Sequence, residues 1–468
     1  MPLPPALLAS LQRFKPTLDT ISRTAIAQQV DLWLVGGFLR DALLERPQVD
    51  LDLITSVSPE TRGRAIAREL GGHFVVLDAD FGVTRIVLPD GVLLDFTRRQ
   101  TEKLEDDLKR RDLTINAIAL PLVINSRAID SPALIDPTGG LADLEHQLVR
   151  AISLENLRSD PVRLIRIFRF AAVLDFQIDF ETLVWVDIYK QRLQEAASER
   201  TTAELFKILS LPHAEVWISR LFGMRVLGVL VPELKKLNPT PPRPDAAGIA
   251  LALEILRQVE ALIQILAPEL GEIFRSSLEG DATQAIVLKL GALLLEIGNP
   301  PSGEQEAGLA AIQVIARRLK LSTKARDFLN RLIKLQDEAD ALLAEPTDPV
   351  ALHRFFQLAK DATMAVLLLN LAQHRAIGAL SEVGLEELEK RLELILLAYF
   401  RPDRAFTDPK RLLDGQALMQ ALQLPPGKQV GKLLQSVLEA QLRGEISTQD
   451  EAIDLARSLF KTAPHLSS

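Results

Sequence analysis

Cysteine is absent from all 468 residues, and histidine occurs only six times. The first absence excludes a disulfide framework, thiolate metal sites and a cysteine nucleophile, and six scattered histidines leave little room for a zinc centre. A surplus of basic charge is missing too: the net charge of −8 argues against a protein coated in positive charge. A local basic stripe can still hold nucleic acid, so overall charge does not decide the partner. The chain starts Met1-Pro2-Leu3-Pro4-Pro5 with no basic residue ahead of its short apolar stretch, and no later apolar run reaches the ~18 residues of a membrane helix. A cytoplasmic address without a membrane is the expectation, and nothing in the sequence points to a protein partner.

Hydrophobic residues at 47% and charged residues at 25% match a globular protein rather than a disordered one. The length predicts three or four units at roughly 100–200 residues per domain. Up to about residue 150 strand and helix signals mix. Trp33-Leu34-Val35, Leu51-Asp52-Leu53-Ile54, Phe74-Val75-Val76-Leu77 and Thr84-Arg85-Ile86-Val87-Leu88 read as strands. The last meets Val92-Leu93-Leu94-Asp95-Phe96 across Asp90-Gly91, a dipeptide suited to the positive φ angles of a tight hairpin. Beyond residue 150 strand signals nearly vanish, and Leu, Ala, Glu, Arg and Gln recur at helical spacing, as in 251–266 and 386–397. Proline- and glycine-rich breaks fall at 238–244, 298–303, 346–349 and 402–409.

The residues that carry chemistry are concentrated near the N-terminus. Leu34-Val35-Gly36-Gly37-Phe38-Leu39-Arg40-Asp41 is soon followed by Val49-Asp50-Leu51-Asp52. Two glycines between a strand and a helix let the backbone approach a ligand, and the free N–H groups of the new helix favour phosphate. Arg40, one turn in, could reach the same phosphates. Asp50 and Asp52 stand two apart on a strand, so their carboxylates share a face and can hold a pair of hard cations. Either feature alone is usually a turn or a solvated strand edge. Together they supply what triphosphate chemistry needs, a phosphate cradle beside a carboxylate pair. Asp95 reads as a third carboxylate or as a strand-end cap. The run 104–111 resembles the wet face of a helix, but Asp112, Thr114 and Asn116 continue it beside an apolar segment, which suits hydrogen bonding to a sugar.

With these residues in view, the head resembles the class II tRNA nucleotidyltransferases, a family that includes bacterial poly(A) polymerases, within the polymerase β superfamily. Gly36-Gly37-Phe38-Leu39-Arg40-Asp41 with Asp50 and Asp52 is similar to the family's first motif, and 110–117 to its ribose-recognition motif. Asp136-Pro137-Thr138-Gly139-Gly140 with Asp143-Leu144 resembles the hinge motif, and 199–205 the neck-helix motif. The resemblance implies an α+β protein: a polymerase β-like nucleotidyltransferase head of mixed sheet and helices over 1–150, then an all-α remainder. That remainder would comprise a neck over 151–238, a body over 239–345 and a tail over 346–468.

It further implies attack by an RNA 3′-hydroxyl on the α-phosphate of CTP or ATP, with two Mg²⁺ ions about 3.5–4 Å apart on Asp50 and Asp52. Gly36, Gly37, Arg40 and Arg111 would position the triphosphate, and Asp112 and Asn116 the ribose. Asp160, Arg163, Arg166 and Arg169 would select and stack the base in place of a template. Asp160 and Arg163, read as one turn apart on a helix, would address the edge of one base. The family has Glu before that Asp; here it is Ser159, which can also cap a helix. The stretch 290–300 resembles an HD phosphohydrolase signature with Leu295-Glu296 in place of His-Asp, which implies a degenerate domain. Gly427, Lys428 and Lys432 at a helix start read as a grip for RNA phosphate or as an ordinary cap, and family tails tip this toward tRNA.

Members that build the whole CCA end carry a flexible loop between the strand of Asp95 and the helix at Leu104. Only 98–103 separate the two here, so addition of CC alone stands beside full CCA addition. An A-adding enzyme, a poly(A) polymerase and an RNA-binding protein with a retired head are the other readings.

Overall fold

The computed structural model describes residues 3–48, 50–80, 82–129, 132–237, 248–300 and 303–462. Met1, Pro2, Val49 and the break expected at 238–244 lie outside them, as does the boundary expected at 238/239. Two compact units are present, 1–211 with 220–230, and 212–219 with 231–468.

The first unit is built on a seven-stranded mixed sheet in the order β3-β4-β5-β2-β1-β6-β7. Its strands are β1 (Leu32–Val35), β2 (Asp50–Thr55), β3 (His73–Asp78), β4 (Val83–Val87), β5 (Leu93–Arg98), β6 (Ala119–Ile124) and β7 (Arg127–Ala128). The four sequence-predicted strands and their partner across the hairpin all appear, β2 and β5 in parallel and the other pairs antiparallel. All four residues of β1 are buried, because helices and loops cover both sheet faces there. A single short pair, Leu148–Val149 with Gln177–Ile178, is the other sheet among the described residues.

The β4–β5 hairpin differs from the expected tight dipeptide turn. Gly91 takes φ +88°, but Asp90 is not among the positive-φ residues, and the Gly91 N–H donates to the Leu88 carbonyl at 3.0 Å. Pro89 is the reason: its ring holds φ near −65°, which starts a right-handed turn and leaves only the third loop residue in the left-handed region. The register that results sets Val87 opposite Leu93 and Arg85 opposite Asp95.

From residue 154 onward the chain is almost entirely helical, as the loss of strand signals predicts. The helices Gly248–Arg275 and Glu382–Tyr399 contain the two stretches read as helical. The stretch Pro349–Ile377 corrects the reading that no apolar run is long enough for a membrane: it passes by length and composition. It is two helices, Pro349–Ala359 and Thr363–Ile377, broken where Lys360 takes φ +52°, and 78% of its apolar window is buried as core.

Helix Gln284–Gly298 is another core element of the second unit. Leu293, Leu294 and Leu295 are buried there, and Glu296 is half-buried with its carboxyl pushed up by desolvation. In the same unit Glu260 and Lys289, 4% and 6% exposed, pair at 2.8 Å. Glu260 also accepts the Ala214 N–H at 2.8 Å, capping the start of helix Ala214–Gly223. One carboxylate thus satisfies a buried ammonium and an orphan helix donor together. Glu260→Ala is expected to destabilise the protein by about 3 kcal/mol, visible as a lowered urea midpoint. An unchanged midpoint would mean that the site relaxes without cost.

Candidate active site

Sheet register brings the acidic residues together. Asp52 on β2 is the partner of Asp95 on β5, and Asp95 is the partner of Arg85 on β4, so all three side chains stand on one face in a row. Asp50, two residues before Asp52, projects from the same face. Arg85 grips Asp95 through both oxygens, Nε and Nη2 each at 2.7 Å. Asp95 therefore lies within its strand rather than capping it.

Beyond β1 the chain turns at Gly36, whose φ of +71° and ψ of −131° only glycine adopts without strain. A Cβ there would also lie 3.0 Å from Arg111 Nη1 and 3.1 Å from Asp52 Oδ2. The Gly37 N–H, first in helix Gly37–Leu43, donates to Asp52 Oδ2 at 3.1 Å. The glycine turn and the carboxylate pair are thus in direct contact. Loss of solvent pushes the carboxyls of both aspartates up, only partially at Asp50, whose strand-start position leaves it exposed, and Asp95 reinforces this at each, while Arg111 and the Gly37 N–H pull Asp52 back.

Against this row lies an open cleft of about 470 Å³, lined by Gly36, Gly37, Arg40, Asp52, Asp95, Arg111, Asp112, Asn116, Asp160, Arg163, Arg166, Arg169, Phe170 and Arg200. Apart from Asp50, every residue read from the sequence as catalytic or nucleotide-binding is on its wall. Asp50 is exposed at the strand start.

The cleft arginines are held by one another's partners. Arg40 is buried, donating to Asp41 at 2.9 and 2.8 Å and to Asn116 Oδ1 at 2.7 Å. Asn116 in turn donates to Asp112 Oδ1 at 3.2 Å, and Arg166 meets Asp112 Oδ2 at 2.7–2.8 Å. Burial alone would raise the Asp112 carboxyl, but Arg166, Asn116 and Arg163 together hold it below the usual carboxylate range. Arg169 and Glu204 approach to 2.6 Å without hydrogen-bond alignment. The Phe170 ring carries Arg40, Arg166 and Arg169 at 5.0, 5.4 and 4.0 Å from its centre.

Two details of the base-selecting segment need correction. Asp160 is not on the helix of Arg163: it has φ −140° and ψ 92° between Leu154–Ser159 and Arg163–Leu174. The following Pro161 disfavours helical backbone at Asp160. Its carboxylate pairs with Arg200 at 3.0 and 2.8 Å and lies 3.8 Å from Arg163, which donates instead to the carbonyls of Arg110 and Asn156. Ser159 does not cap the helix at 163, because its hydroxyl donates back to the Asn156 carbonyl at 3.0 Å.

Arg85 and Phe170 carry no motif in the sequence, and Arg200 and Glu204 stand there only within the neck-helix motif. Counting the hairpin register outward from Pro89-Asp90-Gly91 would have found Arg85 opposite Asp95. No sequence signal links Arg200 to Asp160, forty positions away. In the second unit Gly427 directly precedes helix Lys428–Leu442, with Lys428 and Lys432 exposed.

A head with paired strand carboxylates against a glycine turn and an arginine-lined cleft is that of a nucleotidyl-transferring enzyme. The family model described as the Poly A polymerase head domain matches residues 32–150. The model described as the RNA and SrmB-binding site of polymerase A matches 175–237, and that described as tRNA nucleotidyltransferase domain 2 matches 308–456. The chain is 33% identical to a CC-adding tRNA nucleotidyltransferase of Geobacter sulfurreducens, over 90% of each chain. It is 30% identical to an A-adding tRNA nucleotidyltransferase of Deinococcus radiodurans, over 90% of this chain and 93% of the relative. In fold it is similar to a Thermotoga maritima CCA-adding enzyme complexed with tRNA, at TM-score 0.65 and 20% identity over 97% and 98% of the two chains. A CCA-adding enzyme with ATP gives a TM-score of 0.71 over the same shares. The chain belongs to the tRNA nucleotidyltransferase family.

The raised carboxyls carry a stability consequence. A carboxylate whose folded pKa lies above its unfolded value costs stability increasingly as the pH rises from the unfolded value to the raised one, and the cost is gone only below the unfolded value. Asp52→Asn is therefore expected to raise the melting temperature of the nucleotide-free protein at pH 7, with the gain fading as the pH is lowered and wild-type Asp52 becomes neutral. Calorimetry at several pH values measures this; a lower melting temperature at pH 7 would contradict it.

Proposed function

We propose that the enzyme adds two cytidylates to the 3′ end of tRNA without a nucleic acid template, with Mg²⁺ held by Asp50 and Asp52. The observation that carries the reading is the contact between that aspartate pair and the Gly36-Gly37 turn at the rim of the arginine-lined cleft. The donor set suits a hard divalent cation: two carboxyls whose ionisation is opposed by desolvation and by the charge of Asp95, a cost that a cation would relieve. When bound, such ions supply activation of the attacking hydroxyl and charge stabilisation on the leaving oxygens.

The chain's own residues do the rest. The terminal 3′-oxygen of the RNA bonds to the α-phosphorus, the bond from that phosphorus to the β-bridging oxygen breaks, pyrophosphate leaves, and the hydroxyl proton is released. The Gly36-Gly37 turn, bare of side chains, lets the triphosphate come close to the backbone, and Arg111 beside it orients the phosphates. Arg40, fixed by Asp41 and Asn116, supplies positive charge from behind. Asp112 and Asn116 line the ribose position while holding Arg166 and Arg40 in place. Asp160 accepts from the amino group of the base and Arg163 donates to its acceptors, with Arg166 and Arg169 stacked behind them. Asp95 completes the carboxylate row.

By this reading residues 1–150 perform the chemistry and 151–238 select the base. The body over 239–345 is a degenerate HD domain without hydrolase activity, and the tail over 346–468 grips tRNA through Gly427, Lys428 and Lys432. Two observations favour CC over CCA. The connection from β5 to helix Leu104–Leu108 is a short one, tied by the Gln100 N–H to Asp107 at 2.8 Å. A second relative, from Synechocystis, is also a CC-adding tRNA nucleotidyltransferase, 28% identical over 92% of this chain.

Transcripts of tRNA ending at the discriminator base, at C and at CC, incubated with Mg²⁺ and CTP, ATP or both, test the reading at single-nucleotide resolution. The first is expected to stop after two additions and the CC transcript to stay unchanged with ATP. Three additions would make the short connection compatible with full CCA synthesis, and growth of the CC transcript alone by one A would make this an A-adding enzyme. Loss of every extension in Asp50→Ala with Asp52→Ala is expected; persistence would overturn the carboxylate assignment. Arg163→Ala is expected to cut the preference for CTP over UTP by about tenfold or more, the worth of one base-edge contact. Unaltered preference would remove it from base selection.

A further inference from the structure

The sheet sets three aspartates side by side, yet it also sets an arginine at the end of their row. Directly opposed like charges on neighbouring strands repel, and Asp52 and Asp95 are such a pair. Arg85 is the next residue across, and its guanidinium fork occupies both oxygens of Asp95 at 2.7 Å. The arginine stands in the field of all three carboxylates, Asp95 first and then Asp50 and Asp52. Asp52 instead uses one oxygen for the Gly37 N–H, and Asp50 remains exposed at the strand start. A cation approaching the row therefore meets two available carboxylates and one that is neutralised by its partner.

We infer that Arg85 is a positioning residue that withholds Asp95 from metal coordination, so that the nucleotide-free head offers divalent cations a two-carboxylate site, Asp50 and Asp52, instead of a three-carboxylate one. This rests on the reading of Asp50 and Asp52 as the metal pair and adds what limits that site. The consequence is a site that holds its ions weakly until the phosphates of the incoming nucleotide supply further oxygens, as suits Mg²⁺, which is usually bound by one or two carboxylates together with substrate phosphates. Arginine fits this task better than lysine, because a planar fork fixes both oxygens at once where an ammonium would engage one.

Titration of the full-length, nucleotide-free protein with Mn²⁺, followed by electron paramagnetic resonance of the free ion, tests this without reference to turnover. Arg85→Ala is expected to bind Mn²⁺ about tenfold more tightly than wild type, the effect of unmasking one nearby charge in a half-exposed setting. Arg85→Ala combined with Asp95→Asn is expected to return to within about threefold of wild type, because the extra ligand is then gone. Arg85→Lys, which keeps the charge but not the fork, is expected to fall between wild type and Arg85→Ala, and it serves in place of the alanine variant should that fail to fold by circular dichroism. Unchanged or weaker binding in Arg85→Ala overturns the inference, as does a double variant as tight as the single one. The variant Asp50→Asn with Asp52→Asn separates the two readings. If it abolishes Mn²⁺ binding while Arg85→Ala changes nothing, only the role of Arg85 falls; if wild-type binding survives it, the metal pair falls and the inference with it.

Discussion

Repulsion among carboxylates is the constraint around which the head is arranged. A sheet that puts Asp52 beside Asp95, with Asp50 two residues away, stores electrostatic energy that must be balanced for the fold to persist. The balance is struck from three directions: Arg85 along the row, the Gly37 N–H from the helix start, and Arg111 from across the glycine turn. By the reading proposed above, two of these groups, the helix start and Arg111, also face the position that the triphosphate would take. Much of the apparatus that keeps the nucleotide-free protein stable therefore also prepares it for an anion. The upward pull that remains on Asp50 and Asp52 is what a divalent cation would relieve.

The opposite problem arises deeper in the cleft, where Arg40, Arg163, Arg166 and Arg169 crowd together. Lysines here would shed protons or repel one another into solvent. Guanidiniums stay charged and offer flat faces, so three of them can gather around the Phe170 ring while their edges reach Asp41, Asp112 and Glu204. Asp112 is the keystone, joining Arg166 directly and Arg40 through Asn116. Base selection without a template needs side chains that stand in fixed geometry before the nucleotide arrives, and under the proposed reading this network would supply it.

How much of this was legible in the sequence depended on the range of the interaction. The Gly36-Gly37 turn, the strand carrying Asp50 and Asp52 and the helices after residue 150 follow from local rules, and they appear where periodicity puts them. At the hairpin Pro89 outweighs the Asp-Gly dipeptide, so the turn is one residue longer than that dipeptide implies and the register that sets Arg85 opposite Asp95 shifts with it. Asp160 was put on a helix by spacing alone, although Pro161 beside it argues for extended backbone. Its partner Arg200 comes from a helix forty positions on, a pairing that only the tertiary fold creates. The apolar stretch 349–377 was missed as a long run because the polar residues around Lys360 interrupt it, where the backbone breaks one helix into two.

Under the proposed reading of the body as a degenerate phosphohydrolase domain, the residues of that signature serve packing instead. At the position where a metal-binding pair would stand, Leu295 is fully buried in a leucine-rich helix and Glu296 is half-buried with its carboxyl raised by desolvation. Desolvation in this helix favours the neutral form of Glu296. A hydrolytic metal site would require the reverse: ionised ligands exposed to one another and poor in apolar neighbours. The leucine instead adds about 2 kcal/mol of apolar burial to the helix it occupies. The same segment thus contributes to stability, while in the first unit the raised carboxyls of Asp50 and Asp52 detract from it.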